Sequence, residues 1–386
     1  MIQYGRHEIT EEDIDAVIKV LRSDRLTQGP SVPLFERTIA SYCGSQHAVA
    51  VNSATSALHI ACLALNLGPG DWLWTSPITF VASANCGLYC GSKVDFVDID
   101  PLTYNLSVDN LAEKLVRAEK AGKLPKVVVP VHLCGQSCDM AGIYDLSKKY
   151  GFKIIEDASH AIGGKYKAEH IGNCRYSDIT IFSFHPVKII TTGEGGMALT
   201  NNPALADLML RYRSHGITSD ANEMHPRPAD EIWNYQQIRL GYNYRMTDLQ
   251  AALGVSQMSR LDEFVEKRHR IANRYNDELA DLPIQIPWQH PDSYSSYHLY
   301  PIRVKQGKND RSQRQVYDVL QAAGINVNLH YIPVYRQPYY EAMGFQPGFC
   351  PESECYHKET LSIPMYPTLT NSDLKKVICV LHESLA

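Results

Sequence analysis

No stretch of this 386-residue sequence reaches the ~18 uninterrupted apolar residues of a membrane helix, which excludes a helical membrane span. The opening "MIQYGRHEITEEDIDAVIKVL" lacks a basic start followed by an apolar core, so no secretory signal is expected and cytoplasm is the expected compartment. Charge of one sign is also scarce. Lys and Arg number 37 against 42 Asp and Glu, for a formal net charge of −5, which excludes the basic surplus of a dedicated nucleic-acid binder. A local basic pocket for a small anion is untouched by that argument. The 10 cysteines follow no repeating interval, as expected of reduced thiols rather than a disulfide frame. Cys134 lies close to Cys138, and Cys350 to Cys355, but no second Cys or His pair stands at ligand spacing, so no metal is expected. Internal repeats and low-complexity segments are absent.

What is present is an alternation. Helical spacing in "EEDIDAVIKVLRS" and "VPLFERTIASYCG" precedes a strand at "HAVAVNS" (47–53) and a helix at "ATSALHIACLALNLG". Strands follow at "DWLWT", "KVDFVDID", "KVVVPVHL" (126–133), "KIIEDAS" (153–159) and "DITIFSFH" (178–185), separated by helical segments. Such alternation predicts an α/β fold with a largely parallel sheet covered by helices on both faces. Ligands in such sheets gather at the carboxyl ends of the strands. Beyond about residue 200 the texture changes. A long helical run over 247–279, broken near Ser259, leads to a C-terminal α+β part. That part has strands at "SYHLYPIRV" and "INVNLHYIP" and helices at "DRSQRQVYDVLQAAG" and "SDLKKVICVLHESL". The expected division is a large domain over 1–255 and a linking helix with a smaller domain over 256–386.

Three features fall at strand ends on one edge of that sheet: Asp157, the pair Ser183 and Lys188, and the hydroxyl-rich helix entrance Ser53 to Ser56. An acid, a lysine and a helix N-terminus are the parts needed to hold pyridoxal phosphate. They serve, respectively, the protonated ring nitrogen, a Schiff base and the phosphate. Each also has a plain structural reading: a turn cap for the Asp, an N-cap for "SATS", and a solvated loop residue for the Lys.

"SFHPVKIITTGEGG", "EDASHA" (156–161), "NSATSALHIA" (52–61), "SPITFVASANC" (76–86) and "GYNYRMTDLQAALG" (241–254) together resemble the DegT/DnrJ/EryC/StrS sugar aminotransferases. The resemblance runs from the N-terminal helix to "HYIPVYRQPYY" and implies an aspartate-aminotransferase-like fold (fold type I) with pyridoxal 5′-phosphate as cofactor. "YGRHEI", "LTQGP", "SATSAL" and His160 are similar to the branch that makes pseudaminic acid precursors. At the position of His160 many relatives have Gln.

Carried over by position, the resemblance makes Lys188 the catalytic lysine and Asp157 the partner of the pyridine nitrogen. Phe80 would stack on the ring, His160 would lie at the ring hydroxyl, and Ala54, Thr55 and Ser183 would hold the phosphate. Asn243 would reach the phosphate of a neighbouring subunit, which implies a homodimer with shared sites. Gly193, Gly195 and Gly196 are read as turn glycines rather than ligand contacts. Tyr4, Arg6, Gln28, His330 and Tyr331 fall at substrate-side positions, and Arg211, Arg213, Arg239 and Arg245 are candidates for a diphosphate. The implied reaction moves an amino group from L-glutamate, leaving 2-oxoglutarate, to carbon 4 of a UDP-linked keto sugar. Sugar dehydratases on the same scaffold carry His where Lys188 stands. A cysteine desulfurase would need a mobile loop thiol such as Cys350 or Cys355. A cofactor-binding regulator would add a DNA-binding segment.

Overall fold

Seven strands build the central sheet, in spatial order His47–Val51, Gly196–Thr200, Ile179–Ser183, Lys153–Asp157, Val127–Val129, Trp72–Thr75 and Lys93–Phe96. The structure is a computed structural model and describes residues 1–228, 230–231, 235–305 and 311–385. Six strands share one direction, and only Gly196–Thr200 runs against them. The expected α/β class and mostly parallel sheet are therefore present. The antiparallel strand was not expected. It follows the turn after Lys188 and inserts between the first strand and Ile179–Ser183, pairing with both.

The sheet is buried on both faces, as its near-continuous apolar strands require. Alternation divides the side chains cleanly. Val49, Val51, Ile155, Ile179 and Ile181 pack on one face with helix Ala54–Ala64, while Ala50 and Phe182 pack on the other. Asp157 and Ser183 lie two residues beyond Ile155 and Ile181, so they share the first face. Gly196 stands between Val51 and Ser183 in the register. A methyl group there would meet the Ala54 amide nitrogen and the Ser53 carbonyl carbon, each at 2.5 Å. Its lack of a side chain is what lets the helix start so close to the strand.

The long helical run is two helices, Asp248–Met258 and Leu261–Glu278, and the break falls at Ser259 and Arg260. A two-stranded antiparallel sheet, Tyr300–Arg303 with Thr360–Ile363, and helices Gln313–Ala322 and Asn371–Leu385 form the second core. Ile2 packs in that core and bridges Ile325, so the N-terminal residues belong to it. Asp310, where the predicted helix starts, lies outside the described residues. The strand expected at "INVNLHYIP" does not form. Its backbone makes single bridges to two different neighbours, at Ile325 with Ile2 and at Asn328 with Ser362, so no continuous ladder develops. Arg268, only 1% exposed, joins the parts by donating from Nη1 to the carbonyls of Tyr297, His298 and Met365. Among the described residues no helix is long and apolar enough to cross a membrane.

The packing at Gly196 predicts a clear asymmetry between two glycines. Gly196→Ala should lower unfolding stability by about 3 kcal/mol, because the atoms it strikes are backbone and cannot yield. Gly68→Ala, with nothing within 4 Å, should be near neutral. Urea midpoints of the two variants check this, and equal midpoints would contradict it.

Candidate active site

The strand Lys153–Asp157 ends in a carboxylate that is only 5% exposed. Burying an ionised carboxylate is costly unless its oxygens are bonded. Here both are. Ser83 Oγ donates to Oδ2 at 2.6 Å, and Ser159 donates to Oδ1 from its amide at 3.1 Å and its hydroxyl at 2.6 Å. The turn-cap reading of Asp157 is thus correct for Oδ1, and it does not compete with a ligand role. Ser83 and Ser159 were not singled out from sequence. The usable signals were a serine one helical turn after Phe80 and a serine two residues after the aspartate.

Lys188 sits at the apex of the loop that leaves Ile179–Ser183 and returns as Gly196–Thr200. Backbone bonds close the base of that loop: Phe184 N–H donates to Gly195 O at 2.9 Å and Thr192 N–H to Phe184 O at 3.0 Å. Gly193 takes the left-handed conformation, φ 77°, that the turn needs. Gly195 and Gly196 instead serve close packing, against Thr192 and Met246 in one case and the helix start in the other. Ile189 and Ile190 are buried and anchor the apex. The Lys188 amine has no ion pair or hydrogen bond among the described residues. Burial pushes it down from 10.5 to about 8, with Asp157 and Cys134 pulling the other way. An appreciable neutral fraction near neutral pH is what a nucleophilic or proton-carrying amine requires.

Beside it, helix Ala54–Ala64 opens with Ser53 as N-cap, whose Oγ accepts from the Ser56 amide at 3.1 Å. The amides of Ala54 and Thr55 stay without a partner among the described residues, as the first amides of a helix do. The Ser183 hydroxyl is likewise unpartnered and lies on the same sheet face. Two free amides, a helix N-terminus and a hydroxyl suit a phosphate.

A ring cluster closes the other side. His160, buried, packs at a tilt against His298 at 4.4 Å and stacks with Tyr331 at 6.3 Å between centroids. Burial, then Lys188 and His330, push it well below its ordinary range, so it is neutral. The Cys134 amide donates to His160 Nδ1 at 3.3 Å, which puts the ring proton on Nε2, 3.4 Å from the Tyr331 hydroxyl. The neutral imidazole is therefore a donor from Nε2. His330 is also buried; burial and Lys188 push it down to about 3, and it shares a 2.9 Å hydrogen bond with the Ser362 hydroxyl. Tyr4 packs on His330 at 5.4 Å between centroids. His298 is an addition that sequence reasoning missed, because a lone His in an apolar run carries no spacing signal.

The expected residues outside this cluster are Phe80, Gln28, Arg6, Asn243 and the arginines. Phe80 is 60% exposed at the edge and has no aromatic partner among the described residues. Gln28 is exposed, with a left-handed backbone, in a loop tied to Asp248 through the Gly29 and Ser31 amides. Arg6 is exposed. Asn243 is exposed on a segment that bridges Ser214, next to the outer edge of His47–Val51. Arg213 is held within its own chain. Its Nη1 donates to Glu36 at 2.6 Å and to the Ala50 carbonyl at 2.8 Å, which gives it a structural task. Arg211 is similarly engaged by Asp207 and Glu223. Arg239 and Arg245 have no side-chain partner among the described residues, so they remain the arginines open to an anion. Cys350 is buried in the core, which removes one of the two candidates for the mobile loop thiol of a desulfurase.

Comparison with known proteins identifies the family. The model of the DegT/DnrJ/EryC1/StrS aminotransferase family matches residues 7–382. The chain is 37% identical over 380 residues to the UDP-4-amino-4,6-dideoxy-N-acetyl-beta-L-altrosamine transaminase of Campylobacter jejuni, covering 98% of this chain and 96% of that protein. It is also 37% identical over 380 residues to the spore coat polysaccharide biosynthesis protein SpsC of Bacillus subtilis, covering 98% and 95%. Among solved structures, Helicobacter pylori PseC, an aminotransferase involved in the biosynthesis of pseudoaminic acid, superposes with a TM-score of 0.89. That match is 30% identical and covers 100% of this chain and 99% of the other.

The Lys188 environment predicts a pH profile with a definite sign. In cofactor-free protein, carbamylation of Lys188 by cyanate, followed by peptide mass spectrometry, should reach half its plateau rate near pH 8. A half-point near the ordinary 10.5 would contradict the buried-amine account. Between those values the unfolded chain holds a proton that the folded chain has lost. This group therefore makes folding more favourable as pH rises through that window.

Proposed function

Because the chain belongs to the DegT/DnrJ/EryC1/StrS aminotransferase family, we propose that it moves an amino group from L-glutamate to carbon 4 of a UDP-linked 4-keto-6-deoxy-N-acetylhexosamine. The product would be UDP-4-amino-4,6-dideoxy-N-acetyl-beta-L-altrosamine, a precursor for pseudaminic acid. The protein is a sugar aminotransferase that depends on pyridoxal 5′-phosphate. The observation that carries transamination is the unpaired, partly neutral Lys188 on the same edge as Asp157. A histidine there would favour dehydration instead. The substrate rests on similarity to the altrosamine transaminase and to PseC.

The residues present fit the cofactor. Lys188 would hold its aldehyde end, Asp157 its ring nitrogen and Phe80 its ring face. The free amides of Ala54 and Thr55 with the Ser183 hydroxyl would hold the phosphate. His160 would donate from Nε2 at the ring hydroxyl. When bound, the cofactor supplies an electron sink for the charge left when a carbon–hydrogen bond breaks.

The chain supplies the rest. Ser83 and Ser159 fix the carboxylate of Asp157, so it would face the cofactor's ring nitrogen in one orientation. The Lys188 amine takes a proton from the donor's α-carbon and returns one to the sugar carbon, acting first as base and then as acid. Its value near 8 keeps both forms populated at neutral pH. Tyr4, His330, Tyr331 and Gln28 would border the sugar, and Arg239 and Arg245 would meet the diphosphate. Asn243, exposed and with no side-chain partner among the described residues, would complete the phosphate site of a second copy in a homodimer. A different nucleotide-linked keto sugar is the second reading, favoured by equal identity to SpsC.

The decisive assay supplies glutamate with UDP-4-keto sugars that differ in configuration at carbon 5. Preferred turnover of the L-series ketone is expected, and turnover of D-series ketones alone would move the enzyme to the second reading. Lys188→Ala should lose about 100- to 10,000-fold in turnover with a folded, unchanged far-UV spectrum. A variant that kept wild-type turnover would overturn the role of the lysine.

A further inference from the structure

Two helices that frame the cofactor edge also carry a thiol cluster that the reaction does not use. Helix Ala54–Ala64 presents His59 and Cys62, three residues apart and hence neighbours on its surface. Helix Ala82–Tyr89 presents Cys86, and Cys90 follows four residues later at its C-cap. The helices pack together, with Cys62 and Cys86 in the shared core and Cys90 against it, partly buried. The Cys90 thiol is close enough to both Cys62 and His59 to interact with each electrostatically.

The imidazole supplies the second observation. His59 is only 5% exposed, and its Nε2 is buried with no hydrogen-bond partner. Its Nδ1 lies 3.2 Å from the Tyr244 hydroxyl. A hydroxyl donating there leaves the ring proton on Nε2, the nitrogen free to serve the Cys90 sulfur. Tyr89, Tyr242 and Tyr244 surround the imidazole and fix its orientation. Among the described residues no group of three or more His, Cys, Asp or Glu has the geometry of a metal site.

We propose that Cys90 and Cys62 form a peroxide-reactive thiol pair, with Cys90 as the attacking sulfur, His59 as its activator and Cys62 as the resolving thiol. Contact with Cys62 and then with His59 lowers the Cys90 thiol below the ordinary range, while burial opposes that and Cys62 is raised. The thiolate is the reactive form.

The chemistry balances with hydrogen peroxide as oxidant. The Cys90 thiolate attacks one peroxide oxygen, the O–O bond breaks, and the departing hydroxide takes a proton to become water. Cys90 is then a sulfenic acid. The Cys62 sulfur attacks the Cys90 sulfur, the S–O bond breaks, and a second water leaves with the Cys62 proton. Two thiols lose two electrons, and one peroxide becomes two waters. The position ties this site to the cofactor edge. Cys86 Sγ donates to the Ser83 carbonyl at 3.3 Å, and Ser83 holds Asp157.

The test is peptide mapping of the holoenzyme under non-reducing conditions after titration with hydrogen peroxide. A Cys62–Cys90 disulfide, reversed by dithiothreitol, should appear before the exposed Cys355 and Cys379 are oxidised. Oxidation of Cys355 and Cys379 while Cys62 and Cys90 stay as free thiols would overturn the proposal. Cys62→Ser guards against a pair that is merely buried: Cys90 should then be trapped as a dimedone adduct. In the added His59→Gln background, that adduct should form at least tenfold more slowly. Cys90 unlabelled in Cys62→Ser would overturn its role as attacking sulfur, and an unchanged rate would remove His59 from the account.

Discussion

A carboxylate buried at the end of a parallel strand governs this molecule. Asp157 sits in an apolar setting with both of its oxygens bonded, by Ser83 and Ser159, which offsets the cost of burying so polar a group. The bond from Ser83 fixes the helix Ala82–Tyr89 against the sheet end, and the bonds from Ser159 fix the turn that leads to His160. The same strand end is where Lys188 feels a negative charge against the larger effect of burial. A neutral-leaning amine and a hydrogen-bonded carboxylate then coexist on one edge.

Strand alternation keeps that edge uncluttered. Asp157 and Ser183 lie on the face of helix Ala54–Ala64, while Glu156, one residue before Asp157, and Thr180, three residues before Ser183, lie on the opposite face. There Thr180 donates to Glu156 at 3.0 Å, and His132 Nε2 meets the other Glu156 oxygen at 2.8 Å. The Cys138 amide donates to His132 Nδ1 at 3.1 Å, so the His132 proton belongs on Nε2, toward Glu156. The two neighbouring acids thus have separate polar networks on separate faces. The C-terminal part reaches the first network through Tyr331 and His298, which meet His160.

Much of this was legible in the sequence because local patterns encode it. Apolar runs marked the parallel strands, and "SATS" marked a helix start that Ser53 does cap. The single lysine of "SFHPVK" marked a loop apex. What escaped depended on distant partners. The strand Gly196–Thr200 looks like a loop continuation until its pairing with two separate strands is seen. "INVNLHYIP" reads as a strand, but its neighbours change within four residues. Arg213 reads as a free cation until Glu36, 177 residues away, is found beside it. The tautomer of His160 rests on a backbone amide 26 residues upstream, which no side-chain pattern announces.

The account turns on Lys188 as the residue that holds the cofactor and carries the proton. Borohydride reduction of the purified holoenzyme, followed by peptide mass mapping, tests this most directly. The account predicts one phosphopyridoxyl group per chain, on Lys188. The same modification on any other lysine, with Lys188 unmodified, would contradict it.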